Sequence, residues 1–208
     1  MSRLTTSAAV LIAANSFPLY GVAVLDWEVF PLVLLFWLEN VIIGCFNVFK
    51  MLLIGPYDAV RWIGKMFMAA FFVVHYGGFA AIHGMFVVLL FGSGYVSPGE
   101  SLSMEWLADT LSQSGTVWAA IALVLSHGFS FLWHYVGQGE YRQATIERLM
   151  MQPYARVAVL HMAIIGGGML VMALGTPVAG LVLLVVLKVG LDLRAHMQEH
   201  RKAQSIER

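Results

Sequence analysis

Residues 178–200 read VAGLVLLVVLKVGLDLRAHMQEH. Ten residues carry no charge, and then Lys188, Asp192, His196 and His200 recur four apart. On a helix each four-residue step advances about 40°, so these four form a slowly turning stripe along one side. A run that is apolar and then turns polar reads as a membrane helix leaving the bilayer. Ionisable groups in such a helix are costly, which makes the stripe a functional hypothesis by default.

The rest of the chain agrees with that reading. Hydrophobic residues make up 60% of its 208 positions and charged residues only 12%. A soluble domain carries roughly 25% charged residues, so this chain cannot cover itself with a water-compatible surface. Mean hydropathy is +0.79. Six apolar segments fall at 4–25, 29–50, 66–92, 116–136, 157–174 and 178–197. Each is near the ~20 residues needed to cross ~30 Å of hydrocarbon. The expectation is an all-α polytopic bundle, one integral membrane domain over residues 1–208. Pro18 is expected to kink the first span. The basic start at Arg3 lacks a small-residue cleavage site, so the first segment reads as a span and not a signal peptide.

Between the spans, 51–65 reads as a polar loop with an interfacial helix starting at Pro56, and 93–115 as a Gly/Ser loop with three acids. The most polar internal stretch, 137–156, reads in part as an amphipathic helix on the membrane surface. Gly175-Thr176-Pro177 reads as a tight turn. The lone Cys45 allows no intrachain disulfide and reads as a small buried apolar residue. No Gly-rich phosphate loop, nucleic-acid patch or repeat stands out.

Charge is sorted by position although it sums to zero. All twelve Lys and Arg fall on or near one side of the six-span layout, whereas Asp26, Glu28, Glu100, Glu105 and Asp109 mark the other. Basic loops stay in the cytoplasm, so both termini are expected there. Helical rise then gives depths. Glu39, His127 and Lys188 lie near the midplane, and His83 toward the outer face. Asn47, His75, His134, His161 and Asp192 lie in the cytoplasmic half, His196 at its edge and His200 just beyond.

Imidazole and carboxylate at one depth suggest a divalent transition metal, zinc first. His196 and His200 share a helix face with Asp192 one turn below. His75 and His161 complete the sphere, and His134 is a further candidate. Glu39 is the candidate proton acceptor. The segment 196–200 also fits H-x-x-E-H, a short pattern with no downstream third ligand. Haem ranks below a bare ion, with His75 and His134 or His83 and His127 as axial pairs. Two other classes use the same residues. Glu39, His127 and Lys188 suit a proton or ion relay. Alternatively the polar groups lock helices together in an assembly subunit, with Glu39 and Lys188 pairing across the bundle. The Gly-rich faces of the third and fifth spans permit tight packing within the chain or in a homo-oligomer.

The runs FWLENVIIGCFNVFKM (36–51), HYGGFAAIHGMF (75–86), SHGFSF (126–131), PYARVAVLHMAIIGGG (153–168) and 174–200 resemble a family of bacterial integral membrane proteins known as a domain of unknown function. The resemblance implies a polytopic protein of the bacterial inner membrane and transfers no catalytic residue. The His196/His200 spacing with a nearby Asp is also similar to that of alkaline-ceramidase-type membrane zinc hydrolases, whose seven-span layout this chain lacks. The analogy implies a metal-dependent hydrolase acting on a lipid-like substrate at the inner leaflet.

Overall fold

The structure, a computed structural model, describes residues 16–55, 59–96 and 101–206. Within them it leaves aside the side chains at 59, 60, 155, 191, 192, 195, 196 and 198–206. Regular structure among the described residues is entirely helical. In order come α1 (residues 16–24), α2 (Val29–Leu53), α3 (Ala59–Phe91), α4 (Met104–Gln113) and α5 (Val117–Ser130). A π-helical turn (Phe131–Gly137) and a 3-10 turn (Glu140–Arg142) lead to α6 (Ile146–Met151), α7 (Tyr154–Leu174) and α8 (Pro177–Ile206).

Among the described residues, four helical stretches are long and apolar enough to cross a membrane: Val29–Leu53, Arg61–Phe91, Val117–Gly137 and Ile146–Leu174. They correspond to the second to fifth expected spans. Most of the first expected span lies outside the described residues. The sixth falls on α8, where the described residues give a shorter apolar helix, Pro177–Gly190. The chain divides into two compact units, Phe30–Ala158 and the terminal segments Met1–Val29 with Val159–Arg208.

In the first unit, α2 and α3 lie close because side chains of one reach backbone of the other. Trp37 Nε1 donates to Ala80 O (2.7 Å) and Tyr76 OH to Asn40 O (2.8 Å). The approach requires glycine twice. A Cβ on Gly44 would strike the Tyr76 ring, and one on Gly84 the Trp37 ring. Gly77 and Gly78 have open space instead, so of the small residues in the third span only some serve this contact. Cys45, one residue past Gly44, turns about 100° away from α3 and is exposed. The expectation of a buried thiol is therefore corrected. Met51, Ile54, Phe72, Tyr76, Tyr135 and Leu149 form a buried core cluster at the Lys50 end of α2.

Helix is expected within 51–65 and 137–156 and is found there, whereas 93–115, expected as a loop, also carries a helix. α3 begins before Arg61 and takes in Lys65, which is buried; its Nζ donates to Leu52 O (3.0 Å) and Ile54 O (3.1 Å). These carbonyls at and just past the end of α2 have no partner within the helix, so the ammonium caps them. At 33 residues α3 is about 50 Å long, more than the hydrocarbon needs, so its charged first turns can extend past it. α4 replaces the expected Gly/Ser loop. Ser103 Oγ accepts from Trp106 N (3.1 Å), a serine N-cap, and Trp106, Thr110 and Leu111 are buried. Trp106 Nε1 donates to Tyr95 O (3.1 Å), tying α4 to the turn after α3. In the 137–156 stretch, α6 is capped by Thr145 and buries Leu149 in the core cluster, so its apolar face meets protein.

In the terminal unit, Gly175 (φ +66°) ends α7 in the left-handed conformation and Pro177 opens α8. A Cβ on Gly166 would press on Leu183, so the Gly166 position lets α7 and α8 come together.

Candidate functional site

Polar groups gather where α2, the π-helical turn and the α6–α7 junction separate. A cleft of 190 Å³ opens there, with Ile43, Phe46, Phe131 and Pro153 as its apolar lining. Asn47, Lys50, His127, Ser130, Gln152 and Arg156 supply the polar lining. A second cleft of 390 Å³ shares Lys50 and Gln152 and adds Tyr135, Glu140, Gln143 and Arg148.

The walls are held by side chains bonded to backbone. Asn47, buried, donates from Nδ2 to Leu149 O (2.8 Å), fixing α6 against α2. Tyr135 OH donates to Lys50 O (2.9 Å), and the Lys50 ammonium sits 5.3 Å from the Tyr135 ring centroid. The π turn places Phe131 at the first cleft and Tyr135 at the second. Its wider winding shows as Gln138 N bonding back to Trp133 O (3.1 Å). Such turns are frequent at functional sites.

Arg156 links the first cleft to Glu39. Its Nη1 lies 3.4 Å from Glu39 Oε1, with the Glu39 side chain 14% exposed and that of Arg156 42%. Beside Glu39, the Asn40 Nδ2 donates to Phe36 O (2.8 Å), while its buried Oδ1 meets no hydrogen-bond donor among the described residues. Arg142, on the 3-10 turn and outside both clefts, donates to Tyr141 OH (3.3 Å). That hydrogen bond raises its pKa above the ordinary arginine value, so it is a permanent surface cation.

The expected ligands are placed as follows. His75 is exposed on α3, its ring stacked on Phe71 (5.3 Å) and 5.9 Å from Tyr154. His134 is exposed on the π turn, and His161 is exposed on α7. Asp192, His196 and His200 lie on α8, with side chains outside the described residues. Among the described residues no three His, Cys, Asp or Glu side chains come together as a metal site would require. Of the other histidines, His83 is buried with Nδ1 2.6 Å from Phe79 O, an N–H donor to its own helix. His127 lines the first cleft with its ring 6.4 Å from Phe46.

Reasoning from depth alone overlooked Lys50, Arg156, Gln152 and Ser130 as site residues. A usable signal was present: Lys50 and Arg156 flank polar Asn47 and Gln152 on the basic side of the charge sorting. No curated protein and no solved structure matches the chain. The model of the Family of unknown function (DUF6498) matches residues 1–208, and the chain belongs to that family.

Proposed function

We propose that this chain is a six-span protein of the bacterial inner membrane, both ends in the cytoplasm, that acts on a lipid-like amphiphile at the inner leaflet. The observation that carries the substrate class is the 190 Å³ cleft, with Ile43, Phe46 and Phe131 beside Lys50, Gln152 and Arg156. That is below the ~300–1,000 Å³ of pockets that enclose a drug-sized ligand, so it suits a head group and not a whole lipid, and the chains would stay in the bilayer. Charge sorting supports the orientation, since it puts Lys50 and Arg156 on the basic side. Alkaline-phosphatase and fluorescent-protein fusions at the C-terminus test the layout. A fluorescent, phosphatase-inactive fusion is expected, and the reverse would overturn it.

The catalytic part of the reading rests on spacing. Asp192, His196 and His200, with His75, His161 and His134 as further ligands, are the residues that would hold a divalent metal, zinc first. Such an ion supplies an activated water for hydrolysis. Metal analysis of detergent-purified protein, kept from chelators and nickel resin, is expected to find a stoichiometric transition metal. His161→Ala with His196→Ala is expected to remove it without loss of membrane insertion. Protein that stays metal-free after reconstitution with zinc and iron would overturn the enzyme reading.

One observation favours a second reading, ion-coupled transport. The Glu39–Arg156 pair places a carboxylate well inside a membrane-crossing helix. Glu39→Gln is then expected to abolish proton-coupled flux in proteoliposomes, whereas a structural Glu39 predicts no wild-type flux to lose.

A further inference from the structure

The two clefts do not balance their charge. Their linings carry Lys50, Arg148 and Arg156 against Glu140, and Glu39 beyond the lining takes up part of Arg156. That is three cations against two carboxylates. The smaller cleft has both Lys50 and Arg156 in its wall and, among the described residues, no carboxylate lining it. Arg156 uses one recorded N–H on Glu39, and a guanidinium has five. Lys50 is held over Tyr135 by a cation–π contact, which leaves its three ammonium hydrogens available to an acceptor. Cations at the edge of hydrocarbon are costly unless an anion meets them. The positive end of α7, a 21-residue helix starting at Tyr154, adjoins the cleft through Pro153 and Arg156.

We infer that the smaller cleft binds the oxyanion head group of an anionic amphiphile, a phosphate ester, between Lys50 Nζ and the Arg156 guanidinium. Ser130 and Gln152 offer neutral donors from the same wall. Ile43 and Phe46 on α2 meet the first methylenes of the chains. Glu39 is a positioning residue in this scheme, because its hydrogen bond orients Arg156. The inference rests on the amphiphile reading above and adds the charge and chemical class of the head group.

The test uses full-length protein in dodecyl maltoside and native mass spectrometry of retained lipid. The probes are phosphatidylglycerol, phosphatidylcholine and inorganic phosphate. One phosphatidylglycerol per chain is expected, held more tightly than phosphatidylcholine. Lys50→Gln is expected to weaken it about tenfold, the loss of one charge-assisted hydrogen bond. Lys50→Arg is expected to restore it, and Lys50→Gln with Arg156→Gln to reach about a hundredfold. Arg142→Gln, outside both clefts, is expected to change nothing. Displacement by millimolar inorganic phosphate would show that the phosphate group alone suffices, and resistance to it that the chains are needed; both support the site. Equal retention of both lipids, unaffected by the variants, overturns the head-group assignment and leaves the amphiphile reading standing. Retention of neither lipid overturns both. An equal loss from Arg142→Gln overturns the site in favour of diffuse surface charge. Should the double variant fail to fold because the Glu39–Arg156 pair is broken, Lys50→Gln, which leaves that pair intact, decides the matter.

Discussion

Along α2, Gly44 sits against the Tyr76 ring while Asn40 O and Ala80 O accept hydrogen bonds from Tyr76 and Trp37 across to α3. About one to two turns further on, the same helix meets the π turn and the α6–α7 junction through Asn47 and Lys50, and clefts remain between them. Both regions use aromatic rings and polar groups that bond to backbone. The difference lies in what stands opposite. At the α2–α3 seam, glycine lets ring and backbone touch, so Trp37 Nε1 and Tyr76 OH both find backbone carbonyls. At the Lys50 end, the winding change at Phe131–Gly137 and the break before Tyr154 keep the helices apart, and long cationic side chains face the gap. A close seam therefore stabilises, and an open end can select a ligand.

Substitutions can break this contrast. The largest effect is expected from Gly44→Leu, which drives a branched side chain into the Tyr76 ring. Overpacking of this kind costs about 1–3 kcal/mol or more, and the variant should melt well below wild type in detergent or fail to fold. An unchanged midpoint would mean that α2 and α3 are not this close. Asn47→Ala follows, because it leaves Leu149 O without its donor in a buried position. A loss of about 1–3 kcal/mol is expected by the same measurement, together with altered head-group binding, since Asn47 is part of both seam and cleft. Trp37→Phe deletes one hydrogen bond and the part of the indole that lies against Gly84, for about 1–2 kcal/mol and no change in lipid retention. The smallest effect belongs to Cys45→Ser. Exposed and outside the seam, it should shift stability by less than about 0.5 kcal/mol. A loss of more than about 1 kcal/mol would return Cys45 to the protein interior.

The helical class and the second to fifth spans were legible from runs of apolar residues, because hydrocarbon imposes a minimum length and admits few charges. α4 was hidden by its composition. Yet the serine at 103 followed by Glu105 and apolar positions at 104, 107 and 111 is a helix-start pattern. Lys65 is the opposite case: a charge near a span predicts a solvent-facing border, but this one is buried because it caps carbonyls at the end of α2. Depth along the helices places Glu39 near the midplane but does not reveal Arg156, because one-dimensional depth ignores the reach of a long side chain across two helices.

Sequence by itself determined that the chain is helical, that its apolar runs match membrane-crossing lengths, and that its bases segregate from one set of acids. Those properties follow from local composition and the fixed rise of a helix, which need no knowledge of neighbours. Only the tertiary structure decided that Gly44 and Gly84 admit aromatic rings where Gly77 and Gly78 face open space. It also decided that Lys50 and Arg156, more than a hundred positions apart, line one cleft. Which side chains meet depends on helix rotation and on single-residue changes of winding such as the π turn. Those are set by packing between distant segments, and hydrophobic periodicity does not encode them.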